Sequence, residues 1–114
     1  MDKEQAVKIT QKFLSKLPSE IDIQKVVLYG SWVYGHPRED SDIDIAVIVS
    51  ELRSDYLNLL TDLYYLASAV DLRIEPVLFE ENNDESGFLN HILSHGKIIY
   101  DKNQLVNQNH AQLL

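Results

Sequence analysis

Apolar residues recur along this chain with two periods, and the changes from one to the other lay out its elements. In residues 3–16, KEQAVKITQKFLSK, Ala6, Ile9, Phe13 and Leu14 fall at helical spacing, and Pro18 marks a stop just beyond. Residues 22–30, DIQKVVLYG, read as a strand that ends at Gly30, and the next segment, GHPREDS, is rich in turn formers. Ile43–Val49 is a run rich in β-branched residues, the pattern of a buried strand. A second helical stripe of Tyr56, Leu59, Leu60, Leu63, Leu66 and Ala67 spans residues 54–70, with Ser54 expected as its N-cap.

The alternating run DLRIEPVLF, residues 71–79, predicts a third strand, and Pro76 within it argues for an edge position. After the polar loop EENNDES, Phe88, Leu89, Ile92 and Leu93 predict a short helix, Gly96 its end, and KIIY a last strand. The order α-β-β-α-β-α-β is that of an α/β (α+β) domain, a small mixed sheet with helices packed against it. We expect one domain over residues 1–101, followed by an Asn- and Gln-rich segment, 102–114, as a tail or docking helix.

Charge and composition narrow the function classes. The chain has 114 residues, of which 18 are Asp or Glu and 10 are Lys or Arg, for a formal charge of -8. Such a surface repels a phosphate backbone, so direct nucleic-acid binding is disfavoured and a basic protein partner suits it. The absence of cysteine removes disulfides, zinc thiolates and thiol nucleophiles, and fits a reducing compartment. MDKEQAVK has no signal-peptide pattern and the longest clean apolar run is IAVIV, so the expected location is cytoplasmic, away from membranes.

The candidate chemistry lies in residues 28–49, LYGSWVYGHPREDSDIDIAVIV. Side chains alternate along a strand, so Asp42 and Asp44 share one face while Ile43, Ile45 and Val47 feed the core. Two adjacent carboxylates repel, and a divalent cation turns that repulsion into attraction. Hard oxygen donors with open positions suit Mg²⁺. Asp71 and Glu75 share a face of the third strand, and either could complete a cluster of three. Glu75 is preferred because it lies deeper, between Ile74 and Val77, where a lone charge is costly. Upstream, Gly30 allows close backbone approach, Ser31 opens a helical turn whose amides can meet a phosphate, and Gly35 closes it. His36, His91, His95 and His110 have no metal-ligand spacing, and the tyrosines at 56, 64 and 65 read as helix packing.

At these residues the chain resembles the DNA polymerase β-like nucleotidyltransferases, most closely the minimal nucleotidyltransferases. The motif is Gly30-Ser31-Trp32-Val33-Tyr34-Gly35 followed by Ser41-Asp42-Ile43-Asp44. The resemblance implies that Asp42, Asp44 and Glu75 are the catalytic metal ligands, and that Gly30, Ser31, Gly35 and Ser41 bind the nucleotide. It implies two Mg²⁺ ions, or Mn²⁺ in their place, ATP as substrate, and transfer of AMP to a hydroxyl with loss of pyrophosphate. Members of this size are typically encoded beside a small helical HEPN protein, often a ribonuclease toxin, and some act as antitoxins by adding AMP to a tyrosine of that partner. A catalytically silent module that neutralises a toxin by binding alone is the alternative, and a homo-oligomer stays open. The chain departs from many members in carrying Trp32 and Tyr34 where they have arginines, and Glu75 where Asp is common.

Overall fold

The computed structural model of the protein describes residues 2–52 and 55–104. Its elements run α1 (Lys3–Ser15), β1 (Ile23–Tyr29), α2 (Ser31–Tyr34), β2 (Ile43–Val49), α3 (Tyr56–Val70), β3 (Ile74–Glu80), α4 (Phe88–His95) and β4 (Lys97–Asp101). Residues 102–104 begin a helical turn, and the rest of the predicted tail lies outside the described residues.

Local chemistry sets the boundaries. Helix α1 starts at a capping box, in which the Asp2 carboxylate accepts from the Gln5 amide at 2.8 Å and the Gln5 side chain accepts from the Asp2 amide at 2.9 Å. Helix α3 is capped by Asp55, whose carboxylate accepts from the Leu57 and Asn58 amides at 2.9 and 3.1 Å. The cap is thus one residue later than expected, and Ser54 lies outside the described residues. Strand β3 begins at Ile74 rather than Asp71, because Asp71 ends α3 and donates its amide to the Ala67 carbonyl. Gly96 follows α4 because a Cβ there would lie 2.6 Å from Val27 Cγ1. No helix among the described residues is long and apolar enough to cross a membrane.

The strands form one mixed sheet in the order β3-β2-β1-β4. Strands β2 and β3 are parallel, joined through α3, while β1 pairs antiparallel with both β2 and β4. Strand β3 is an edge, which accommodates Pro76 opposite Ile45. One sheet face carries Val26, Leu28, Ile43, Ile45, Val47 and Ile74, all buried under α1 and α3 through Phe13, Leu63 and Ala67. The opposite face carries Val27, Ala46 and Ile48, covered by Leu89 and Ile92 of α4. That second cover is short, and the sheet emerges from beneath it at one end.

Candidate active site

The uncovered end is where β1 finishes and where β2 and β3 begin. The register places Tyr29 opposite Asp44, and Asp44 opposite Glu75, so these three residues form a row across three strands. The next row on that face is Val27, Ala46 and Val77, already apolar. Phe88, the first residue of α4, stands over the border. Its ring makes T-shaped contacts with Tyr29 at 6.1 Å and with Phe79 at 6.0 Å. Beyond that ring the acids face solvent, with Glu75 exposed and Asp44 half-buried. Asp42 precedes β2, exposed beyond the end of the ladder.

Burial first, then Asp42 and Glu75, push the Asp44 carboxyl up from 3.8 to about 6. The charged groups acting on Asp44 are all acidic. Burial, followed by Asp44, Tyr34, Glu75 and Tyr64, raises the Tyr29 hydroxyl to about 12. Tyr64 also shifts upward, through burial first and then Glu75 and Asp42. Tyr56, Tyr64 and Tyr65 are all exposed at the surface of α3, which corrects the expectation that they pack the helix. Tyr29 and Tyr64 are the site neighbours that sequence reasoning missed. Pairing register exposes the first, and no local pattern marks the second.

The Gly-Ser turn meets the acids at close quarters. Gly30 sits at φ 80° and ψ -151°, a backbone region essentially reserved for glycine, and a Cβ there would collide with the Asp44 carboxylate. The Val33 and Tyr34 amides donate to the Gly30 carbonyl, whereas those of Ser31 and Trp32 open the turn without an acceptor inside it. Gly35 is tight for a different reason, since a Cβ would lie 2.9 Å from Ser31 Cα. Trp32 is buried in the core and its indole N–H donates to the Ser41 carbonyl at 3.4 Å. The Ser41 hydroxyl accepts from the Arg38 amide at 2.8 Å, so it is engaged in shaping its own loop.

Asp71 takes no part in the row. It holds Arg73 in a bidentate pair, and Arg73 with Asp71 hydrogen-bonded to it keeps that carboxyl below its ordinary value. The residues fit a divalent cation in kind, because the donors are hard oxygens, Asp44 and Glu75 are direct cross-strand neighbours, and like charge crowds Asp44. They are not drawn together as tightly as expected. Among the described residues no three His, Cys, Asp or Glu side chains stand close enough to hold a metal ion. His91 and His95 stack on the exposed face of α4 with ring centroids 4.4 Å apart, remote in the chain from the acids. A hollow of about 780 Å³ between α1 and the 39–40 segment includes none of Asp42, Asp44 and Glu75 in its lining.

Comparison with known proteins gives the same fold. A solved structure of a toxin–antitoxin complex with AMP-PNP superposes with a TM-score of 0.59 at 22% identity, over 99% of this chain and 91% of that one. A tri-AMPylated HEPN toxin in complex with an MNT antitoxin, from Shewanella oneidensis, gives 0.57 at 21% identity, over 93% and 78%. A candidate minimal nucleotidyltransferase gives 0.54 at 28% identity, over 84% and 94%. No curated protein matches. The family model described as "Polymerase beta, Nucleotidyltransferase" matches residues 9–105, most of the chain. With the Gly-Ser turn packed against an acid row on a four-stranded mixed sheet, the chain belongs to the polymerase β nucleotidyltransferase family.

Proposed function

We propose that this chain is a Mg²⁺-dependent nucleotidyltransferase that transfers AMP from ATP to a hydroxyl on a HEPN-family partner and thereby acts as an antitoxin. The observation that carries the reading is the side-by-side placement of Asp44 and Glu75, with Gly30 packed against the Asp44 carboxylate. A site built for solvation alone has no need of a glycine-only backbone under one acid. The two complexes described above, one of a HEPN toxin carrying AMP and one holding AMP-PNP, support the nucleotide and the partner.

Asp42, Asp44 and Glu75 would hold the divalent ions, which when bound supply charge neutralisation and Lewis-acid polarisation at the phosphates. The Gly30–Ser31 turn offers amides and a hydroxyl to the triphosphate. Glu75, exposed on the edge strand, would take the proton of the acceptor hydroxyl. The acceptor oxygen then bonds to the α-phosphorus, the bond from that phosphorus to the bridging oxygen breaks, and pyrophosphate leaves. The open end of the sheet leaves room for an acceptor presented by another chain, and the net charge of -8 suits a basic one.

A second reading, neutralisation by binding alone, draws on the looseness of the acid cluster among the described residues. Incubating the chain with labelled ATP, Mg²⁺ and the product of the neighbouring gene separates the two. Label on the partner that vanishes in Asp44→Ala supports the enzyme, and a tight unlabelled complex overturns it in favour of the module.

A further inference from the structure

The third acid, Asp42, sits on a loop that no strand pairing holds. Asp42 lies beyond the β2 ladder, in the segment between α2 and β2, and one side chain reaches across to fix that segment. Arg73 donates from Nη1 to the Glu39 carbonyl at 2.7 Å, spanning 34 positions of sequence. Its Nε and Nη2 donate to the two Asp71 carboxylate oxygens at 2.9 and 2.7 Å. Its backbone completes the arrangement, since the Arg73 amide donates to Asp71 Oδ1 at 2.9 Å and its carbonyl accepts from the Ile43 amide at 2.8 Å. A single residue thus bonds to the loop just before Asp42, to the residue between Asp42 and Asp44, and to the turn just before Glu75.

We infer that Arg73 is the positioning residue of the acid cluster, clamping the loop that carries Asp42 to the turn that leads into Glu75. The inference rests on the reading above, in which these acids hold the divalent ions. Asp71 has a matching part. Its two carboxylate oxygens occupy the Nε and Nη2 edge of the guanidinium, which leaves Nη1 aimed at the Glu39 carbonyl. Only a planar fork can hold a carboxylate with two donors and a carbonyl with a third, so lysine would supply the charge without the geometry. The clamp lies at the surface, with the Arg73 and Asp71 side chains 29% and 18% exposed, and it adds nothing to the apolar core.

The test compares the full chain with Arg73→Ala, Arg73→Lys and Asp71→Asn by calorimetric titration of Mn²⁺ in the presence of AMP-PNP, with thermal unfolding alongside. Arg73→Ala is expected to weaken Mn²⁺ binding about 10-fold, the lower range for groups that orient metal ligands, while its unfolding midpoint stays close to that of the wild type. Lysine is expected not to restore binding. Asp71→Asn, which keeps the guanidinium but loosens its aim, should weaken binding in the same direction and by less. Unchanged Mn²⁺ affinity in both Arg73→Ala and Asp71→Asn overturns the clamp, as does full recovery with lysine, or a loss of affinity matched by collapse of stability in both. A wild-type chain that takes up no Mn²⁺ overturns the proposed function itself and the clamp with it, whereas normal wild-type uptake with unaltered variants overturns the clamp alone.

Discussion

The two faces of the sheet are built from the same strands and yet are finished differently. On one, α1 and α3 close a continuous core in which Phe13, Leu28, Ile43, Ile45 and Leu63 are all fully buried. On the other, α4 covers Val27, Ala46 and Ile48 and stops, leaving the row of Tyr29, Asp44 and Glu75 at its margin. Strand β2 serves both, with Ile43 and Ile45 anchored in the closed face while Asp44 between them is held at the open one. Rigid packing behind the strand is what allows a repelling carboxylate to stay in place in front of it. Stability belongs to the closed face, and chemistry to the part of the sheet left bare.

If that division holds, the largest effect on stability comes from the closed face and leaves the acids alone. Phe13→Ala empties a fully buried site in α1 and should cost about 3–5 kcal/mol in urea unfolding. Below its melting temperature the variant should still bind Mn²⁺ with AMP-PNP as the wild type does. A parallel loss of Mn²⁺ binding would show that the two faces are not separable.

Gly30→Ala attacks the junction from the other side. The added methyl must displace the Asp44 carboxylate, and the backbone is held at φ 80°, so we expect a stability loss of about 1–3 kcal/mol. Here, unlike at Phe13, Mn²⁺ uptake should fall even in the folded protein. Retained uptake would mean that Asp44 has room the structure does not show.

Asp44→Asn should act in the opposite direction. A carboxyl raised from 3.8 to about 6 binds protons more readily in the folded chain than in the unfolded one. In the absence of metal, its contribution to stability is therefore fully present below about pH 4 and is lost as pH rises through about 6. Removing the charge should stabilise the metal-free protein at neutral pH by roughly 1–1.5 kcal/mol, a figure reduced from the full shift because Asp44 is half open to solvent. Denaturant midpoints measured between pH 4 and 7 should fall for the wild type relative to the variant. A constant difference across that range would refute the raised ionisation of Asp44 that its burial and its acidic neighbours produce.

The sequence made the closed face easier to read than the open one. Ile43–Val49 announces itself as a strand by six apolar residues out of seven, and its alternation separates Asp44 from Ile43 and Ile45 before any fold is known. Apolar neighbours favour Glu75 over Asp71, but the alternation starts the strand at Asp71, whereas β3 begins at Ile74. Asp71 belongs to the end of α3 and to Arg73, a relation that strand alternation cannot express. Tyr29 became a neighbour of Asp44 only through antiparallel register, and the Arg73 bond to Glu39 only through folding across 34 positions. The tyrosines of α3 misled because a helical stripe shows which residues could be buried, not which helix face the sheet receives. Short-range periodicity carries the core, whereas the site depends on distances between strands.

The smallest effect probes the border itself. Phe88 is 45% exposed, yet its ring meets both Tyr29 and Phe79 edge to face. Two such partly solvated contacts should make Phe88→Ala cost roughly 0.5–1 kcal/mol, within reach of a careful denaturant titration. The sharper reading is the titration of Tyr29. Burial is the leading cause of its rise to about 12, ahead of Asp44, and Phe88 is the ring set against it at the margin of the site. Removing that ring should let water reach the phenol and bring its ionisation down toward 10, as followed by ultraviolet absorbance in the variant and the wild type. If Tyr29 stayed near 12 in Phe88→Ala and dropped in Asp44→Asn, the acids would control that position, and the open region would extend inward past Phe88 to the tyrosine.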